Sequence, residues 1–171
     1  MITQNSNWQN FTTVKKGNIG EALVNEWLIN KGYIPYSPDA DGAHPFDRLV
    51  ASRDKKTIFI ADSKAKAKRK YYPDTGINIK HYEEYKFIQD KYSIDVFIFF
   101  VDEEARKIYG NYLRIMQAPR KIIHNGKELS YPLIQNDVIY FPVEFMKEIA
   151  DIPTEQANSM KQLTTKKEAY K

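Results

Sequence analysis

Two short runs in the chain are almost continuously apolar and rich in β-branched and aromatic residues. Residues 57–61 read Thr-Ile-Phe-Ile-Ala, and residues 96–101 read Val-Phe-Ile-Phe-Phe-Val. A strand with one face in water alternates apolar and polar residues, whereas a strand covered on both faces is apolar throughout. The two runs therefore predict central strands of a sheet that has other elements packed on both faces.

Helical patterns and shorter extended segments surround these two strands. Residues 18–31 carry an apolar stripe with helical spacing and have Asn18 as a candidate N-cap, and residues 79–92 show a second such stripe. Extended segments are predicted at 33–36 and 46–51. The order helix, strand, strand, strand, helix, strand predicts an α/β fold with a mixed central sheet flanked by helices.

The same pattern divides the chain into one domain with two polar ends. Residues 15–150 form the predicted domain, with a core at 15–102 and an extension at 103–150. We expect residues 1–14 to be a polar arm and residues 151–171 to be a polar, mobile tail. Less regular signals predict these further elements: a loop at 71–76, strands at 107–113 and 138–141, a hairpin turn at 125–126 and a short helix at 143–150.

The composition argues against several classes of protein. The chain has no cysteine, which excludes disulfides and thiolate metal sites. No stretch approaches the roughly 20 apolar residues of a membrane span, and the first residues lack the basic-then-apolar pattern of a signal peptide. We therefore expect a cytoplasmic protein without a membrane anchor.

The basic residues are unevenly distributed. Lys and Arg number 26 against 22 acidic residues, and five of the 26 lie in the segment 64–70. Without that segment the chain would carry 21 basic and 22 acidic residues, so the rest of it is nearly neutral. A basic patch on a neutral body is typical of a phosphate-binding surface. On charge alone, a solvated basic loop explains the segment equally well.

Two acids and a lysine occupy the ends of predicted strands. Asp47 begins the strand at 46–51, Asp62 ends the central strand, and Lys64 follows two residues later. Because side chains alternate along a strand, Asp62 and Lys64 point to the same side. If the two strands are antiparallel neighbours, the start of one lies beside the end of the other, and the two carboxylates approach each other at one edge of the sheet.

Two converging carboxylates supply the oxygen ligands that Mg²⁺ requires, with water and substrate phosphate completing the octahedron. Such a metal polarises a phosphate and lowers the pKa of a bound water. Lys64 can orient that water or stabilise charge on the phosphorane. Glu21 would add a carboxylate if the first helix packs against the same edge.

Each of these residues also has an ordinary structural explanation. An Asp at a strand end is commonly a turn or cap residue, as Asp47 can be. Lys64 alone can be one more solvated lysine, and Glu21 alone an exposed helix carboxylate. The combination, with acid-x-Lys directly after a buried strand, favours a catalytic site.

The spacing of these residues resembles a known signature. Asp47, fourteen intervening residues and then Asp62-Ser63-Lys64 resemble the motif of the PD-(D/E)XK nuclease superfamily. The segment Gly17-Asn18-Ile19-Gly20-Glu21 resembles the stretch that carries an additional catalytic Glu in its Holliday junction resolvase-like branch. The likeness covers roughly residues 15–102. Phe46 stands before Asp47 where the motif has Pro, and the second acid is Asp rather than the commoner Glu.

The resemblance implies a restriction-endonuclease-like αβββαβ core, a divalent metal and DNA as substrate. It implies that Asp47 and Asp62 bind Mg²⁺, with Mn²⁺ able to substitute, that Lys64 is the catalytic lysine and that Glu21 is an accessory metal ligand. Many duplex cutters act as dimers so that each subunit cuts one strand, which makes a homodimer a second expectation.

Other residues are candidates for substrate contact. Four cations of the basic segment are predicted to track a nucleic-acid backbone: Lys66, Lys68, Arg69 and Lys70. His44 is a candidate for the phosphate or metal shell, and His81 with Tyr85 loosely resembles a Gln-x-x-x-Tyr pair of exonuclease-like branches; a loop His, an exposed His and a core Tyr are the ordinary explanations. Tyr71 and Tyr72 can either stack on unpaired bases or pack under a loop.

Together these features predict a magnesium-dependent deoxyribonuclease, and an endonuclease in particular. A second hypothesis is a catalytically inactive DNA-binding or assembly subunit with the same fold. A third is an unrelated α/β domain whose charges match by chance. The retention of all four residues, Glu21, Asp47, Asp62 and Lys64, argues for the first hypothesis.

Overall fold

The two apolar runs lie side by side at the centre of a sheet. The computed structural model describes residues 11–38 and 44–168. Its elements in chain order are α1 (Thr12–Asn30), β1 (Ile34–Tyr36), β2 (Arg48–Ala51), β3 (Ile58–Lys64), β4 (Asp74–Asn78), α2 (Ile79–Tyr92), β5 (Asp95–Asp102), β6 (Lys107–Tyr112), α3 (Leu113–Met116), β7 (Arg120–His124), β8 (Lys127–Tyr131), β9 (Leu133–Gln135), β10 (Val138–Pro142), a 3₁₀ turn (Val143–Phe145), β11 (Lys147–Asp151) and α4 (Thr154–Glu168). The predicted αβββαβ order is confirmed, with β4 as an additional strand before α2.

The main sheet has six strands in the order β1-β2-β3-β5-β6-β11. Strands β2 and β3 pair antiparallel, with Arg48 opposite Ala61, whereas β3 and β5 pair parallel. A parallel pair requires a crossover connection, which the segment containing α2 provides. The antiparallel register brings Asp47, just before β2, beside Asp62 near the end of β3, as the sequence predicts.

Each face of this sheet packs against its own layer. Phe59 and Ala61 of β3 point to one face and Ile60 to the other, in the alternation of a strand. On the first face α1 and α4 cover the sheet with these buried residues: Val24, Leu28, Ala157 and Met160. On the second face α2, α3 and strands β4 and β10 contribute these: Tyr85, Leu113, Met116, Ile77, Ile139 and Phe141. The sheet is therefore the middle of three layers, which explains why its central strands are apolar on both sides.

Residues 103–150 pack against the predicted core. Strands β6 and β11 extend the main sheet at one side, while β4, β10 and β9 form a second, three-stranded sheet. Strands β7 and β8 form a hairpin at the predicted turn, with His124 opposite Lys127. Strand β4 follows the basic segment of the core, and β10 belongs to the extension. Their pairing in the second sheet therefore connects the extension to the core.

Helix α1 begins earlier than predicted. It starts at Thr12 with Phe11 in the N-cap position, and Phe11 provides no side-chain cap. Asn18, the predicted N-cap, lies inside the helix. The apolar stripe of α1 begins only at Ile19, so the polar first turns carry no periodic signal. Residues 1–10 of the predicted arm lie outside the described residues.

Two other local predictions are wrong. The loop predicted at 71–76 ends in strand β4, whose first residue Asp74 is fully buried. The helix predicted at 143–150 is a 3₁₀ turn followed by β11, which pairs with the edge strand β6 through an irregular register at Glu148 and Ala150. In both places pairing with a distant strand overrides the local pattern.

The segment predicted as a polar, mobile tail contains helix α4. Ile152, Ala157 and Met160 are fully buried and belong to the core under α1. The few apolar residues of α4 lie among many polar ones. The apolar stripe of the helix is therefore too narrow to give a clear helical pattern in the sequence. Residues 169–171 lie outside the described part of the chain. Within residues 11–38 and 44–168, no helix is long and apolar enough to cross a membrane.

Candidate active site

Asp47 is held in place by the end of strand β3. Its Oδ2 accepts hydrogen bonds from the amide N–H of Ser63 at 2.7 Å and from the Ser63 hydroxyl at 2.8 Å. The guanidinium of Arg48 donates to the Asp47 carbonyl at 3.1 Å and to Oδ1 of Asn25 on α1 at 3.0 Å. Hydrogen bonds to a carboxylate are stronger than neutral ones. The carboxylate of Asp47 is therefore fixed although it precedes strand β2.

Asp62 and Lys64 form an ion pair on the face of the sheet that α2 covers. Their Oδ2 and Nζ atoms are 2.7 Å apart, and their side chains are 3% and 23% exposed. The ammonium also lies 5.6 Å from the centre of the Tyr85 ring on α2. The predicted alternation of β3 is confirmed: an acid and a lysine two residues apart meet on one side.

Burial makes the Asp62 carboxylate unusual. Desolvation raises the pKa of Asp62 to about 6, and the positive charge of Lys64 only partly offsets this rise. The nearby negative charge of Asp47 raises the pKa further. Burial, followed by the charge of Asp62, also raises the pKa of the Tyr85 hydroxyl. The carboxylate of Asp62 therefore lies in a setting that a second cation would stabilise.

Glu21 approaches Asp47 from the opposite face of the sheet. A small cavity beside Asp47 is lined by these residues: Glu21, Val24, Arg48, Ala61 and Ser63. Because side chains alternate, Ser63 points toward α1 while Asp62 points toward α2. Burial and then the charge of Asp47 raise the pKa of Glu21, and the charges of Arg48 and Lys64 lower it. Asp47 thus lies between Glu21 and Asp62 and is coupled electrostatically to both.

The donor set fits a magnesium ion held by two carboxylates. Among the residues that the structure describes, no three His, Cys, Asp or Glu side chains are close enough together to hold a metal ion. Mg²⁺ commonly uses only one or two carboxylates and fills its octahedron with water and substrate oxygens. Oδ2 of Asp62 contacts the Lys64 ammonium at 2.7 Å, and because a carboxylate oxygen has two lone pairs it can accept a second partner. The metal roles of Asp47, Asp62 and Glu21 stay predictions.

Comparisons with known proteins identify the fold. No family model and no curated protein sequence matches the chain. Among solved structures, the chain is similar to Hjc, a Holliday junction resolvase from the archaeal hyperthermophile Archaeoglobus fulgidus. The TM-score is 0.52 at 11% identity, over 82% of this chain and 99% of the resolvase. A nuclease from a fusselovirus gives a TM-score of 0.46 at 13% identity, over 94% of this chain and 98% of that one.

The chain has the restriction-endonuclease-like fold. At the level of the fold, this confirms the resemblance to the PD-(D/E)XK superfamily and the predicted mixed sheet flanked by helices. The likeness extends beyond the predicted core of residues 15–102, because 82% of the chain is covered. In this fold Asp47, Asp62 and Lys64 lie at the edge of the sheet where β2 begins and β3 ends.

Arg69 of the basic segment is engaged inside the restriction-endonuclease-like domain. Its guanidinium forms two hydrogen bonds to the buried carboxylate of Asp74, at 2.6 and 2.7 Å. The Tyr131 hydroxyl donates to the same carboxylate at 2.6 Å. The guanidinium also lies 3.8 Å from the ring centre of Tyr140 and 4.1 Å from that of Tyr72. These contacts give Arg69 a structural role, while its predicted contact with nucleic acid stays untested.

The lysines of the basic segment differ in exposure. Lys68 and Lys70 are exposed, whereas Lys66 is half-buried with its ammonium 5.7 Å from the Tyr140 ring centre. Burial lowers the pKa of Lys66, and the charge of Arg69 lowers it further. The exposed lysines are consequently better placed than Lys66 to contact a phosphate backbone.

The accessory candidates lie on two sides of the site. His44 is exposed and lines an open cleft of about 410 Å³ together with Glu21 and Asp47. His81 is exposed on α2, with its ring 6.3 Å from that of Tyr85. Burial and then the charge of Lys64 lower the pKa of His81. The fully buried Tyr85 is a core residue whose ring also lies 5.6 Å from the Lys64 ammonium, and its resemblance to the Tyr of exonuclease-like branches stays a prediction.

Three residues that hold the site were not singled out in the sequence. Ser63 binds Asp47 through two donors, and Arg48 connects β2 to Asn25 on α1. Ser63 lies between the acid and the lysine, and strand alternation alone would have placed it on the opposite face. The contact between Arg48 and Asn25 depends on helix packing and has no local signal.

Proposed function

We propose that the chain is a metal-dependent nuclease that hydrolyses phosphodiester bonds in DNA. The observation that carries this proposal is the ion pair of Asp62 with Lys64 beside Asp47 at one edge of the sheet. The Holliday junction resolvase with the same fold supports nucleic acid as the substrate class. Acid, acid and lysine at one edge are the groups that metal-assisted hydrolysis of a phosphodiester requires.

In this proposal Asp47 and Asp62 would hold Mg²⁺, and Mn²⁺ would substitute for it. When bound, the metal polarises the scissile phosphate and lowers the pKa of a coordinated water. The protein contributes geometry: Ser63 fixes the Asp47 carboxylate with two hydrogen bonds, and β3 fixes Asp62. Glu21, across the sheet, would interact electrostatically with the Asp47 carboxylate or provide an accessory metal ligand.

Lys64 would act directly on the reacting groups. Its ammonium is partly exposed and lies 2.7 Å from Asp62, so it can reach both the metal ligands and a substrate at the surface. A lysine in this position can orient the attacking water and stabilise the negative charge that develops on the phosphorane oxygens. The half-buried setting strengthens this electrostatic effect.

The proposal is tested by incubating the protein with closed circular plasmid, linear duplex, single strands, branched junctions and RNA. Each substrate is tried with Mg²⁺, with Mn²⁺ and with a chelator. Asp62→Asn and Lys64→Gln are compared with Asp90→Asn and Lys56→Gln, which change exposed residues away from the site. We expect metal-dependent nicking that falls by at least about 100-fold in the first pair only. Nicking of a closed circle requires cutting within a strand, so it also tests the endonuclease assignment.

A catalytically inactive DNA-binding or assembly subunit is the second candidate function. It is favoured by the finding that no ready-made cluster of three metal-binding side chains occurs among the described residues. Binding at low salt without cleavage on any substrate or metal would establish this second candidate and reject the first. Loss of cleavage in Asp62→Asn with retained binding would reject the second.

A further inference from the structure

The loop after β3 presents two tyrosine rings to solvent beside two lysines. We propose that this surface, formed by Tyr71 and Tyr72 with Lys68 and Lys70 and called here the aromatic ledge, binds unpaired nucleobases of a nucleic-acid strand. The inference rests on the proposed nuclease function and names the state of the strand that the site would prefer. A nuclease with such a surface would favour single-stranded or branched substrates over uninterrupted duplex.

The rings of the aromatic ledge are not part of the core. Tyr71 is 72% exposed and Tyr72 is 41% exposed. The sequence left two explanations for these tyrosines, and exposure on this scale argues against packing under the loop. Base stacking on an aromatic ring works for every base, because every base has a π face. In a duplex those faces are covered by neighbouring bases, so the ledge would select unpaired ones.

One ring of the aromatic ledge, that of Tyr72, is supported from below. Tyr72 packs on the guanidinium of Arg69, which also contacts the ring of Tyr140 on β10. The guanidinium is bound by the buried carboxylate of Asp74, and the amide of Arg69 donates to the Asp74 carbonyl at 2.9 Å. A surface that is already ordered loses little conformational entropy when it binds. This support explains how large aromatic rings can stay presented to water.

The aromatic ledge is connected to the candidate active site through the basic segment. Lys64 ends β3, and the amide of Lys66 donates to its carbonyl at 2.9 Å, so the chain turns tightly there. The side chain of Lys66 then reaches the ring of Tyr140, which also supports Arg69. A continuous set of contacts therefore links the proposed catalytic lysine to Tyr72.

The charge of the aromatic ledge fits an anionic partner. Lys68 and Lys70 are exposed, and among the described residues neither ammonium forms an ion pair, while that of Lys70 lies 5.3 Å from the Tyr71 ring centre. Cations beside aromatic rings offer partners for both the phosphates and the bases of a single strand. An apolar protein partner would instead leave both lysines to be desolvated without compensation.

The test is a binding cycle that separates stacking from charge. Wild-type protein and Tyr71→Ala are titrated, in chelator, with a fluorescent oligothymidylate and with an oligomer of equal length and charge whose bases are replaced by abasic sites. We expect Tyr71→Ala to weaken binding of the oligothymidylate by about 5- to 100-fold. The same substitution should change binding of the abasic strand less than twofold, and Tyr71→Phe should retain wild-type affinity for both strands.

The matched control is a tyrosine that lies outside the aromatic ledge. Tyr92→Ala removes a tyrosine of comparable exposure (56%) at the far end of α2 and should bind both strands as the wild type does. Equal losses on both strands for Tyr71→Ala, or no loss on either, would overturn the inference. If the wild type cleaves DNA but shows no coupling between Tyr71 and the bases, the ledge fails and the nuclease stands. If the coupling is present but no substrate is cleaved, the nuclease fails and the ledge survives as a binding surface.

Discussion

At the scale of single residues, Asp62 combines deep burial with a negative charge. Its pKa of about 6 in the folded chain lies above the 3.8 of an ordinary Asp, so the folded state holds the proton more tightly than the unfolded state. The resulting stabilisation is complete at pH values below 3.8 and is lost as the pH rises through 6. At neutral pH the metal-free protein therefore carries a destabilising charge where the proposed cation would bind.

Replacing Asp62 with Asn should relieve this cost. In chelator, we expect Asp62→Asn to raise the free energy of unfolding relative to the wild type by little near pH 4 and by roughly 2–3 kcal/mol above pH 7. Urea titrations across this pH range measure the difference, with Asp90→Asn as an exposed control. Parallel curves for Asp62→Asn and the wild type would show that Asp62 is not held in an unfavourable ionised state.

Ser63 acts on the site through Asp47. Its hydroxyl supplies one of the two hydrogen bonds to the Asp47 carboxylate, and its backbone amide keeps the other in any variant. Loss of one hydrogen bond to a charged group costs about 1–2 kcal/mol, so we expect Ser63→Ala to reduce the proposed cleavage about tenfold. Single-turnover cleavage rates measure this, with the exposed Ser130→Ala as the control. An unchanged rate would mean that the backbone amide alone positions Asp47.

At the scale of secondary-structure elements, α4 is the clearest test of the fold. Met160 is fully buried in the layer that α1 and α4 form over the sheet. Truncating a buried Met to Ala typically costs 2–5 kcal/mol, so Met160→Ala should lower the free energy of unfolding by that amount. The adjacent Ser159 is exposed, and Ser159→Ala should change it by less than about 0.5 kcal/mol. Equal, small effects in urea denaturation would show that α4 is not docked.

The elements that the sequence predicted are those with a strong local pattern. Helix α2 has the predicted bounds of Ile79 to Tyr92, because Asn78 caps its start and the left-handed Ser93 ends it. Strand β5 was predicted because six consecutive apolar residues admit few other structures. Strand β11 was predicted as a helix because its pairing with β6 is non-local and leaves no period in the sequence. The same reason hid β4, which is defined by its pairing with β10.

The features of the candidate site also differ in whether a local sequence pattern predicted them. The shared side of Asp62 and Lys64 follows from strand alternation, which is local, and Asp47 lies beside them because β2 and β3, which adjoin in the sequence, pair antiparallel. The opposite location of Glu21, across the sheet from Asp62, follows from how α1 packs and was not foreseen. The contact of Arg69 with Asp74 joins two residues five positions apart, but it forms only because β4 buries the carboxylate.

At the scale of the whole molecule, the sheet separates two kinds of surface. Helices α1 and α4 cover one face, whereas α2, α3 and the second sheet cover the other. Five of the 26 basic residues lie between Lys64 and Lys70 in a chain with a net charge of +4. A nucleic-acid strand attracted by positive charge would therefore be attracted to the region that follows β3.

This concentration of charge predicts how binding depends on salt. Each phosphate neutralised on a single strand contributes about 0.7 to the slope of log K against log salt. The double substitution Lys68→Ala with Lys70→Ala should therefore reduce the slope for a single-stranded oligonucleotide by about 1.4. Fluorescence titrations between roughly 50 and 200 mM salt, in chelator, measure both slopes.

The control for this prediction has the same net charge but a different location. Lys31 and Lys56 are both exposed. Lys31 directly follows α1 and Lys56 lies just before β3, so both are at the end of β3 opposite to Lys64. The double substitution Lys31→Ala with Lys56→Ala removes two charges there and should leave the slope within about 0.3 of the wild type, because a contact-driven slope counts neutralised phosphates rather than total charge. Equal reductions in the two double variants would mean that net charge, and not a track beginning at Lys64, attracts the strand.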